Sequence, residues 1–569
     1  MCDLRCVNSS GPATTPVHPP QPELVGAPQR AEPRWWRDAV VYQVYVRSFA
    51  DANGDGTGDL TGVLMRLPYL RELGVDAIWF SPWYPSPMAD MGYDVSDYRS
   101  IDPSLGTLAQ AERVIADARA LGIRTIIDVV PNHVSDQHPW FAAALAGEPG
   151  SPERARFWFR PGSGPNGDLP PNGWQSIFGG PGWTRTTDAA GAPGEWYLHL
   201  FAPEQPDLNW THPDVWREHE DILRFWFDRG VAGVRIDSAA LLVKDPALAE
   251  EQPANAPGEH PFTDRDQLHE IYRGWRAIAD SYAERRVLVG EIWLPDAERF
   301  ARYLRSDELH TAFNFDFLAC PWECDRMRAS IESALAAHAP VDAPATWVLS
   351  NHDVTRPVTR YGRADTGFAF ESKRAGTPTD LELGTRRARA AALLAMALPG
   401  SMYVYQGEEL GLPEVEDIPD ERRQDPMWAR SGGLDPGRDG CRVPIPWAGT
   451  EPPYAFSGAG AERPWLDPPD DWAALTVAAQ AGNPASMLAL YRTGLHLRRT
   501  APWEGGSGLS WIDTPDSVLA FARGDRFACF VNFGPEPVAL PPDATVLIAS
   551  GELEGGALPQ DTTVWLRQA

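Results

Sequence analysis

The stretch Gly233-Val234-Arg235-Ile236-Asp237 reads as a short buried strand that is apolar except for two charges near its carboxyl end. Arg235 and Asp237 are two residues apart, so in a strand their side chains point to the same side. Removing such charges from water costs several kcal/mol unless they are paired. The plain interpretation is a structural ion pair, and the alternative is a functional carboxylate that is held by its arginine.

Three further strand-like runs also end in polar residues. They are Ile126 to His133 (IIDVVPNH), Leu288 to Trp293 (LVGEIW) and Val348 to Asp353 (VLSNHD). Segments with helical character separate these runs along the chain. Buried strands that alternate with helices and carry acids at their carboxyl ends are typical of a (β/α)8 barrel enzyme. The sequence therefore predicts an α/β barrel whose polar clusters meet at one end.

These four stretches, in this order, resemble the four signature regions of the α-amylase family, glycoside hydrolase family 13. A fifth stretch, Gln205 to Trp210 (QPDLNW), resembles the fifth region of that family. The likeness runs from about Trp35 to the C-terminus. It implies a (β/α)8 TIM barrel with a domain B inserted in the loop after strand 3 and a C-terminal antiparallel β-domain.

The expected domain limits follow from this resemblance and from local composition. Residues 1–33 are rich in Pro, Gly, Ser and Thr and are predicted to form a disordered tail. The barrel is expected over 34–133 and 207–505, the inserted domain B over 134–206 and the C-terminal β-domain over 506–569.

Composition narrows the classes of function. The 569 residues carry a formal net charge of -28, so nucleic acids and anionic membranes are poor partners. No apolar run reaches the roughly 18 residues of a membrane span, and no signal-peptide core is seen, so we expect a cytoplasmic protein. The 23 Trp residues suit both core filling and stacking of sugar rings. The six Cys lack neighbouring His and do not predict a metal site.

The resemblance implies that three acids carry the chemistry. Cleaving a glycosidic bond needs a protonated acid on one side of the anomeric carbon and a carboxylate on the other. Asp237, kept ionised by Arg235, suits the nucleophile, and Glu291, whose pKa burial should raise, suits the general acid. Asp353 resembles the third acid of the family, which binds the 2- and 3-hydroxyls of the sugar. A retaining mechanism predicts that the Asp237 and Glu291 carboxyl groups lie about 5–5.5 Å apart.

A set of sugar-binding residues follows from the same resemblance. In related glucosidases an Asp binds the terminal hydroxyls of the innermost sugar and a Tyr stacks beneath its ring, and these map to Asp90 and Tyr93. His133 alone would read as a structural histidine, whereas the motif implies a donor to a sugar hydroxyl. His352 is expected to hydrogen-bond the same sugar, and Arg235 belongs to the set through its contact with the nucleophile.

The stretch Arg438-Asp439-Gly440-Cys441-Arg442 resembles a feature of exo-acting relatives. There the first Arg pairs with the Asp that corresponds to Asp90, and the pair closes the pocket beyond the innermost sugar. This implies that Arg438 makes that contact, and Arg442 is interpreted as structural.

A metal site is expected in the loop after the first strand. Oxygen side chains at every second position, with Gly between them, suit a hard cation such as Ca²⁺, with Mg²⁺ possible in its place. The alternative is a Gly/Asp turn without an ion, because the twelfth position is Gly62 rather than Glu. Relatives with such a loop imply a structural site with the ligands Asp51, Asn53, Asp55, the Thr57 carbonyl and Asp59.

Taken with the resemblance, these features predict a retaining, exo-acting α-glucosidase that cleaves short α-glucosides. The nearest rival is a transglucosylase or a sucrose- or trehalose-converting isomerase, which would keep every catalytic residue. A non-catalytic sugar-binding or transporter-partner relative is disfavoured because all three acids are present. Ser238, directly after the expected nucleophile, is neither the Val of 1,6-specific relatives nor the Thr of 1,4-specific ones, so the linkage preference stays open, as does the oligomeric state.

Overall fold

The computed structural model describes residues 34–187, 191–250, 258–369, 373–500 and 508–568. The tail predicted for residues 1–33 lies outside these ranges. The strands in chain order are β1 (Val40–Val44), β2 (Ala77–Phe80), β3 (Arg124–Val129), β4 (Phe159–Arg160), β5 (Trp183–Thr187), β6 (Pro193–Leu198), β7 (Gly233–Ile236), β8 (Val287–Gly290), β9 (Thr311–Ala312), β10 (Thr346–Val348), β11 (Ser401–Tyr405), β12 (Ser510–Trp511), β13 (Val518–Arg523), β14 (Phe527–Asn532), β15 (Val538–Ala539), β16 (Thr545–Ala549), β17 (Ala557–Leu558) and β18 (Thr562–Arg567).

The α-helices connect and surround these strands. In chain order they are α1 (Leu60–Leu73), α2 (Leu108–Ala120), α3 (Pro139–Ala146), α4 (Pro152–Ala155), α5 (Pro213–Asp228), α6 (Leu268–Asp280), α7 (Ala297–Arg302), α8 (Phe315–Ala319), α9 (Cys324–His338), α10 (Pro357–Tyr361), α11 (Leu381–Ala397), α12 (Pro426–Arg430), α13 (Val477–Gln480) and α14 (Met487–Thr500).

Eight parallel strands form the barrel predicted from the sequence. Their order in the sheet is β10-β11-β1-β2-β3-β7-β8-β9, which is chain order wrapped around a ring. The Asn314 N–H, just after β9, donates to Thr346 O on β10 at 3.3 Å, so the two edges of the sheet nearly meet. Helices between successive strands give the right-handed crossovers that parallel pairing needs. The predicted fold class is confirmed.

Local sequence sets the ends of the first two barrel helices. Asp59 caps the N-terminus of α1 by accepting a hydrogen bond from Gly62 N at 2.8 Å, and Gly74 ends the helix with a φ of 94°. Thr107 and Gln110 form a capping box at the start of α2. These ends direct the chain back into β2 and β3.

Strand register brings the polar clusters together at the carboxyl end of the barrel. Asp128 on β3 lies opposite Arg235 on β7. One step beyond the strands, the Asp237 N–H donates to Val129 O at 2.9 Å and the Glu291 N–H donates to Ile236 O at 3.0 Å. The backbone ladder itself therefore sets the positions of both acids.

The chain between β3 and α5 contains a small sheet of its own. Its three antiparallel strands lie in the order β4-β6-β5. The two ends of this insertion meet where His133 pairs with Asp207, and where the Val134 N–H donates to Pro206 O at 3.3 Å. The base of the insertion thus adjoins the carboxyl end of the barrel.

An antiparallel sheet follows the barrel. Its strands lie in the order β12-β13-β14-β18-β16. It packs on α11, where the Thr563 hydroxyl donates to Ala390 O at 2.8 Å and Trp565 Nε1 donates to Leu393 O at 3.1 Å. Within the described ranges, no helix combines the length and the apolar character needed to cross a membrane.

Candidate active site

Arg235 lies at the centre of the candidate site. Its side chain is fully buried and contacts three carboxylates. Nη1 lies 2.8 Å from Asp128 Oδ1 and 2.8 Å from Asp237 Oδ1, and Nη2 lies 2.6 Å from Glu291 Oε2. Burial lowers the pKa of Arg235, but the surrounding acids raise it well above its usual value. One permanent cation therefore holds both acids that are predicted to carry the reaction.

The two oxygens of Glu291 have different surroundings. Oε2 accepts hydrogen bonds from Arg235 and, at 3.0 Å, from the Ser238 N–H. Oε1 lies 3.3 Å from Nε1 of Trp293, whose ring stacks on Phe315 and is 40% exposed. Burial raises the pKa of Glu291 to about 7, although Arg235 acts to lower it. A carboxyl group with this pKa can give up and take back a proton near neutral pH.

Asp237 is less strongly ionised than its pairing with Arg235 suggested. Burial raises the pKa of Asp237 to about 6, because Arg235 lowers it by less and the charge of Asp128 adds to the rise. Asp237 is thus ionised at pH 7, and its proton affinity lies close to that of Glu291.

Asp353 is the most strongly ionised acid of the site. Its Oδ1 lies 3.1 Å from Arg438 Nη1 and 2.9 Å from Arg442 Nη2. Its Oδ2 lies 3.3 Å from His352 Nε2. Burial acts to raise the pKa of Asp353, but His352, Arg438 and Arg442 together lower it well below its usual range. Asp353 therefore remains a hydrogen-bond acceptor at any pH at which the protein works.

Arg438 joins Asp90 to the rest of the site. Arg438 Nη2 lies 2.6 Å from Asp90 Oδ1, and Nε lies 2.5 Å from Asp425 Oδ2. Together with its contact to Asp353, this buried guanidinium links acids from the loops after β2, β10 and β11. Gln205 Nε2 donates to Asp90 Oδ2 at 3.0 Å, and burial raises the pKa of Asp90 to about 6.

The aromatic residues predicted to bind sugar lie beside these acids. The rings of Tyr93 and His352 stack at 5.2 Å with an interplanar angle of 9°. The Tyr93 hydroxyl donates to Asp128 Oδ2 at 3.0 Å, which ties this ring to the Arg235 cluster. His133 is buried at the base of the insertion, with Nε2 3.2 Å from Tyr93 O. The structure thus brings all nine predicted catalytic and sugar-binding residues into one connected cluster.

The predicted metal loop is held by its own hydrogen bonds. The Asp51 carboxylate accepts from Gly54 N at 2.6 Å and Gly56 N at 3.0 Å, and Asp59 Oδ2 accepts from Ala52 N at 2.9 Å. Asn53 Nδ2 donates to an oxygen of Asp55 at 2.9 Å.

In the part of the chain that the structure describes, no three His, Cys, Asp or Glu side chains are grouped so that they could hold a metal ion. The oxygen donors of the loop nevertheless fit a hard cation by their chemistry, because each carboxylate oxygen of Asp51 and Asp55 accepts one hydrogen bond and keeps a second lone pair. In Asp59 this holds for Oδ1, whereas Oδ2 accepts from both Ala52 N and Asn53 N.

Comparison with known proteins identifies the family. The description "Alpha amylase, catalytic domain" matches residues 43–504, and "Domain of unknown function (DUF3459)" matches residues 512–565. The chain belongs to the α-amylase family, glycoside hydrolase family 13. The first match covers the barrel with its insertion, and the second covers the C-terminal antiparallel sheet.

Several members of the α-amylase family are similar to this chain over most of its length. A probable α-glucosidase of Rhizobium meliloti (strain 1021) is 36% identical over 526 residues, 88% of this chain and 90% of the relative. A trehalose-6-phosphate hydrolase of Escherichia coli (strain K12) is 36% identical over 499 residues, 82% and 84% of the two chains. An oligo-1,6-glucosidase of Parageobacillus thermoglucosidasius is 33% identical over 505 residues, again 82% and 84%.

Solved structures of the α-amylase family show the same architecture. That of XgtA, an α-glucosyl transfer enzyme, gives a TM-score of 0.80 at 33% identity and covers 94% of this chain and 100% of the other. That of the isomaltulose synthase PalI from Klebsiella sp. LX3 gives a TM-score of 0.81 at 28% identity and covers 94% and 99%.

Several contacts in this α-amylase-family site were not predicted from the sequence. Arg442, interpreted as structural, reaches Asp353 directly, and Asp425 anchors Arg438. Gln205 contacts Asp90, and Gln43 Nε2 lies 2.8 Å from His352 Nδ1. Gln205 is the first residue of the QPDLNW stretch, so the resemblance to the fifth family region could have identified it. Asp425 and Gln43 lie in segments without a motif.

Proposed function

We propose that this α-amylase-family chain is a retaining, exo-acting α-glucosidase that removes one glucose from short α-glucosides. The observation that carries the proposal is the buried Arg438, which joins Asp90 and Asp353. In this proposal the ion pair closes the pocket beyond a single terminal sugar, which would lie between that pair and the two acids on Arg235. A polymer-cutting enzyme would need a cleft that is open at both ends.

The proposed mechanism assigns a step to each acid. Asp237 attacks the anomeric carbon while Glu291 Oε1 protonates the departing glycosidic oxygen, which gives a β-linked glucosyl ester on Asp237. Glu291, now ionised, then takes a proton from water as the water attacks the anomeric carbon from the face opposite the ester bond, which breaks and releases α-glucose and the Asp237 carboxylate. Arg235 supports both steps because its guanidinium contacts both carboxylates. Asp353 accepts from sugar hydroxyls and stabilises the distorted ring of the transition state.

Product analysis tests this proposal. Purified protein is given maltose, isomaltose, sucrose, trehalose or soluble starch, and the anomeric form of the released glucose is followed by NMR. We expect α-glucose to appear first and disaccharides to react faster than starch. Faster loss of starch than of maltose would overturn the exo-action. Initial release of β-glucose from sucrose, which has no reducing-end glucose to contribute its own mixture of anomers, would overturn retention.

A second candidate is an α-glucosyl transferase or sucrose isomerase. It is favoured by the similarity to the structures of an α-glucosyl transfer enzyme and an isomaltulose synthase. Trp293 stands half-exposed beside Glu291 Oε1, where a sugar acceptor in place of water would stack. New di- or trisaccharides with little free glucose in the same assay would favour this candidate.

The ion pair at the closed end of the pocket gives a specific prediction. Arg438→Ala is expected to lower kcat/KM for maltose about 100-fold, because contacts to the terminal sugar are lost, and to lower kcat/KM for starch much less, because the opened end lets an internal segment of the polymer bind across the two acids. Asp90→Asn should act on the same interaction, so the two substitutions should be strongly non-additive in a double-mutant cycle.

Arg299→Ala is a matched control for that variant. Both arginine side chains are 6% exposed and bind two acids or more, but Arg299 pairs with Asp264 and Asp266 away from the site. We expect this variant to lose stability while the ratio of maltose to starch activity stays unchanged. An equal fall of both activities in Arg438→Ala would contradict the assignment.

We also propose that the loop from Asp51 to Asp59 holds Ca²⁺ or Mg²⁺ as a structural ion. Its ligands would be the five groups predicted from the sequence. The loop bonds to a later segment, since Glu462 N donates to Gly54 O at 2.8 Å and Trp465 N donates to Gly56 O at 3.0 Å. An ion would therefore stabilise both segments.

Chelation tests whether the loop from Asp51 to Asp59 binds a stabilising ion. Dialysis against a chelator is expected to lower the unfolding temperature by a few degrees, because an ion at 100 times its Kd stabilises the fold by about 2.7 kcal/mol. Added Ca²⁺ should restore it. Asp55→Asn, at an exposed position of the loop, should remove this dependence with little effect on kcat below the unfolding temperature. Identical melting with and without a chelator would contradict the site.

A further inference from the structure

Lys244 is a fully buried cation at the base of the insertion. Among the 50 Lys and Arg residues of the chain only Lys244 and Lys373 are lysine, so arginine is the usual cation of this protein. Three oxygens surround Lys244 Nζ: Asn132 Oδ1 at 2.6 Å, Asp207 Oδ2 at 2.7 Å and Leu241 O at 2.8 Å. Asn132 Oδ1 and Leu241 O accept hydrogen bonds from the ammonium and the Asp207 carboxylate pairs with its charge, whereas a planar guanidinium would not fit this arrangement.

Lys244 fixes the orientation of the Asn132 amide. Because the ammonium can only donate, the Asn132 atom that faces it has to be the oxygen. The amide nitrogen then faces His133, with Asn132 Nδ2 3.1 Å from His133 Nδ1. An amide NH₂ can only donate, so Nδ1 of His133 has to accept.

The acceptor at Nδ1 determines the tautomer of His133. Burial lowers the pKa of His133 to about 4, so near pH 7 the ring is neutral and carries one proton. With Nδ1 accepting, that proton is on Nε2, which lies 3.2 Å from Tyr93 O. The Nε2–H group is the side of the ring that adjoins Gln205 and Asp90.

Gln205 adds a second donor at the same place. The Ala202 N–H donates to Gln205 Oε1 at 3.0 Å, so the Gln205 nitrogen faces Asp90 Oδ2 and His133 Nε2, each at 3.0 Å. The Gln205 nitrogen alone would favour an accepting Nε2, but that tautomer would set Nδ1–H against the Asn132 amide and the Nε2 lone pair against Tyr93 O. The Nε2–H tautomer satisfies both of those contacts, and its contact with the Gln205 nitrogen is not a hydrogen bond. The His133 Nε2–H group, the Gln205 amide nitrogen and the Asp90 carboxylate therefore lie next to one another.

We infer that Lys244 acts through Asn132 to hold His133 in its Nε2–H tautomer, so that this N–H group, which donates to Tyr93 O in the structure, is also directed with Gln205 toward one sugar hydroxyl oxygen whose own proton goes to Asp90. Lys244 and Asn132 are positioning residues in this arrangement. Only the identity of the acceptor as a sugar hydroxyl rests on the proposed function, since the tautomer follows from the donors and acceptors alone.

Asn132→Asp separates this role from a purely structural ion pair. The carboxylate keeps the size of Asn132 and its contact with Lys244, but it presents an acceptor to His133 Nδ1 in place of a donor. The proton should therefore move to Nδ1. Lys244→Met removes the cation that fixes the amide, so both tautomers should be populated. Lys373→Met is the matched control, because it breaks another largely buried Lys–Asp pair, 2.8 Å long, with Asp435.

The tautomer is measured at pH 8 by NMR of protein with ¹⁵N-labelled histidine, with His133 assigned from the spectrum of His133→Gln. We expect a protonated Nε2 in the wild type and in Lys373→Met, a protonated Nδ1 in Asn132→Asp, and a mixture in Lys244→Met. A protonated Nδ1 in the wild type, or an unchanged Nε2–H in both Asn132→Asp and Lys244→Met, would overturn the inference whether or not the protein cleaves α-glucosides.

The kinetics of the same variants test the role toward the sugar. We expect Asn132→Asp to lower kcat/KM for 4-nitrophenyl α-glucoside at least about 10-fold, mainly through KM, while Lys373→Met stays within about twofold of the wild type. An inverted tautomer with unchanged kcat/KM would overturn the assignment of the donors to a sugar hydroxyl. If the wild type cleaves no α-glucoside, the proposed function fails and the NMR result still decides the tautomer.

Discussion

Asp237→Ala is expected to lower kcat/KM for 4-nitrophenyl α-glucoside by at least about 10⁴-fold, because no covalent intermediate can then form. The substitution also leaves Arg235 with two of its three acids. The loss should appear in kcat with little change in KM, since the contacts around Asp90 and Asp353 remain. Steady-state kinetics with the leaving group followed by absorbance measures the effect.

Azide distinguishes the loss of a nucleophile from general damage. In Asp237→Ala, azide can enter the vacated space and attack the anomeric carbon from the face that Asp237 would use. The product should be β-glucosyl azide, with part of the rate restored. Formation of the α-azide by this variant would contradict the assignment of Asp237 as the nucleophile.

Glu408→Gln is the matched control for substitutions of the acids. Glu408 is buried, burial raises its pKa to about 7, and it accepts a hydrogen bond from Tyr405 N at 2.7 Å, all without a contact to Arg235 in the described structure. We expect kcat/KM within about threefold of the wild type. A loss of kcat/KM as large as that of Asp237→Ala would show that the burial of an acid, rather than its contact with Arg235, determines the loss of activity.

The barrel and its acids could be predicted because both depend on local pattern. A buried strand followed by an acid is visible in five residues, as in GVRID, and parallel strands necessarily gather their carboxyl ends. The contact of Arg438 with Asp90, 348 residues apart in sequence, was predicted through the family resemblance rather than from pattern.

Contacts that depend on long-range packing were not predictable in the same way. Arg442 was interpreted as structural, and only the folded loop brings it to Asp353. The balance of charges on Asp237 was also hidden, because the sequence shows Arg235 but not the depth of burial that opposes it. Two of the three oxygens around Lys244, from Asn132 and Asp207, come from distant segments, so the function of this lysine could not be predicted from the sequence.

Glu291→Gln is expected to lower kcat/KM for maltose about 10³-fold, because a sugar leaving group needs a proton and the amide cannot supply one. The loss should be much smaller for α-glucosyl fluoride, whose leaving group needs little protonation. In the wild type, activity on maltose should fall as the pH rises through about 7, the pKa of Glu291. The activity of Glu291→Gln on α-glucosyl fluoride should not show this fall at alkaline pH.

Azide gives a further test of Glu291. In the presence of azide, Glu291→Ala should form α-glucosyl azide, the opposite anomer to the product of Asp237→Ala.

The stability of Glu291→Gln gives a check that does not depend on turnover. Folding raises the pKa of Glu291 from 4.5 to about 7, so the folded state favours the neutral acid. The stability that this preference contributes is complete below pH 4.5 and is lost as the pH rises through 7. A permanently neutral Gln avoids that loss, so the variant should gain on the order of 2–3 kcal/mol over the wild type at pH 8 and almost nothing at pH 4.5. Thermal unfolding at the two pH values measures this, and a variant that is less stable at pH 8 would mean that the ion pair with Arg235 outweighs the burial of the charge.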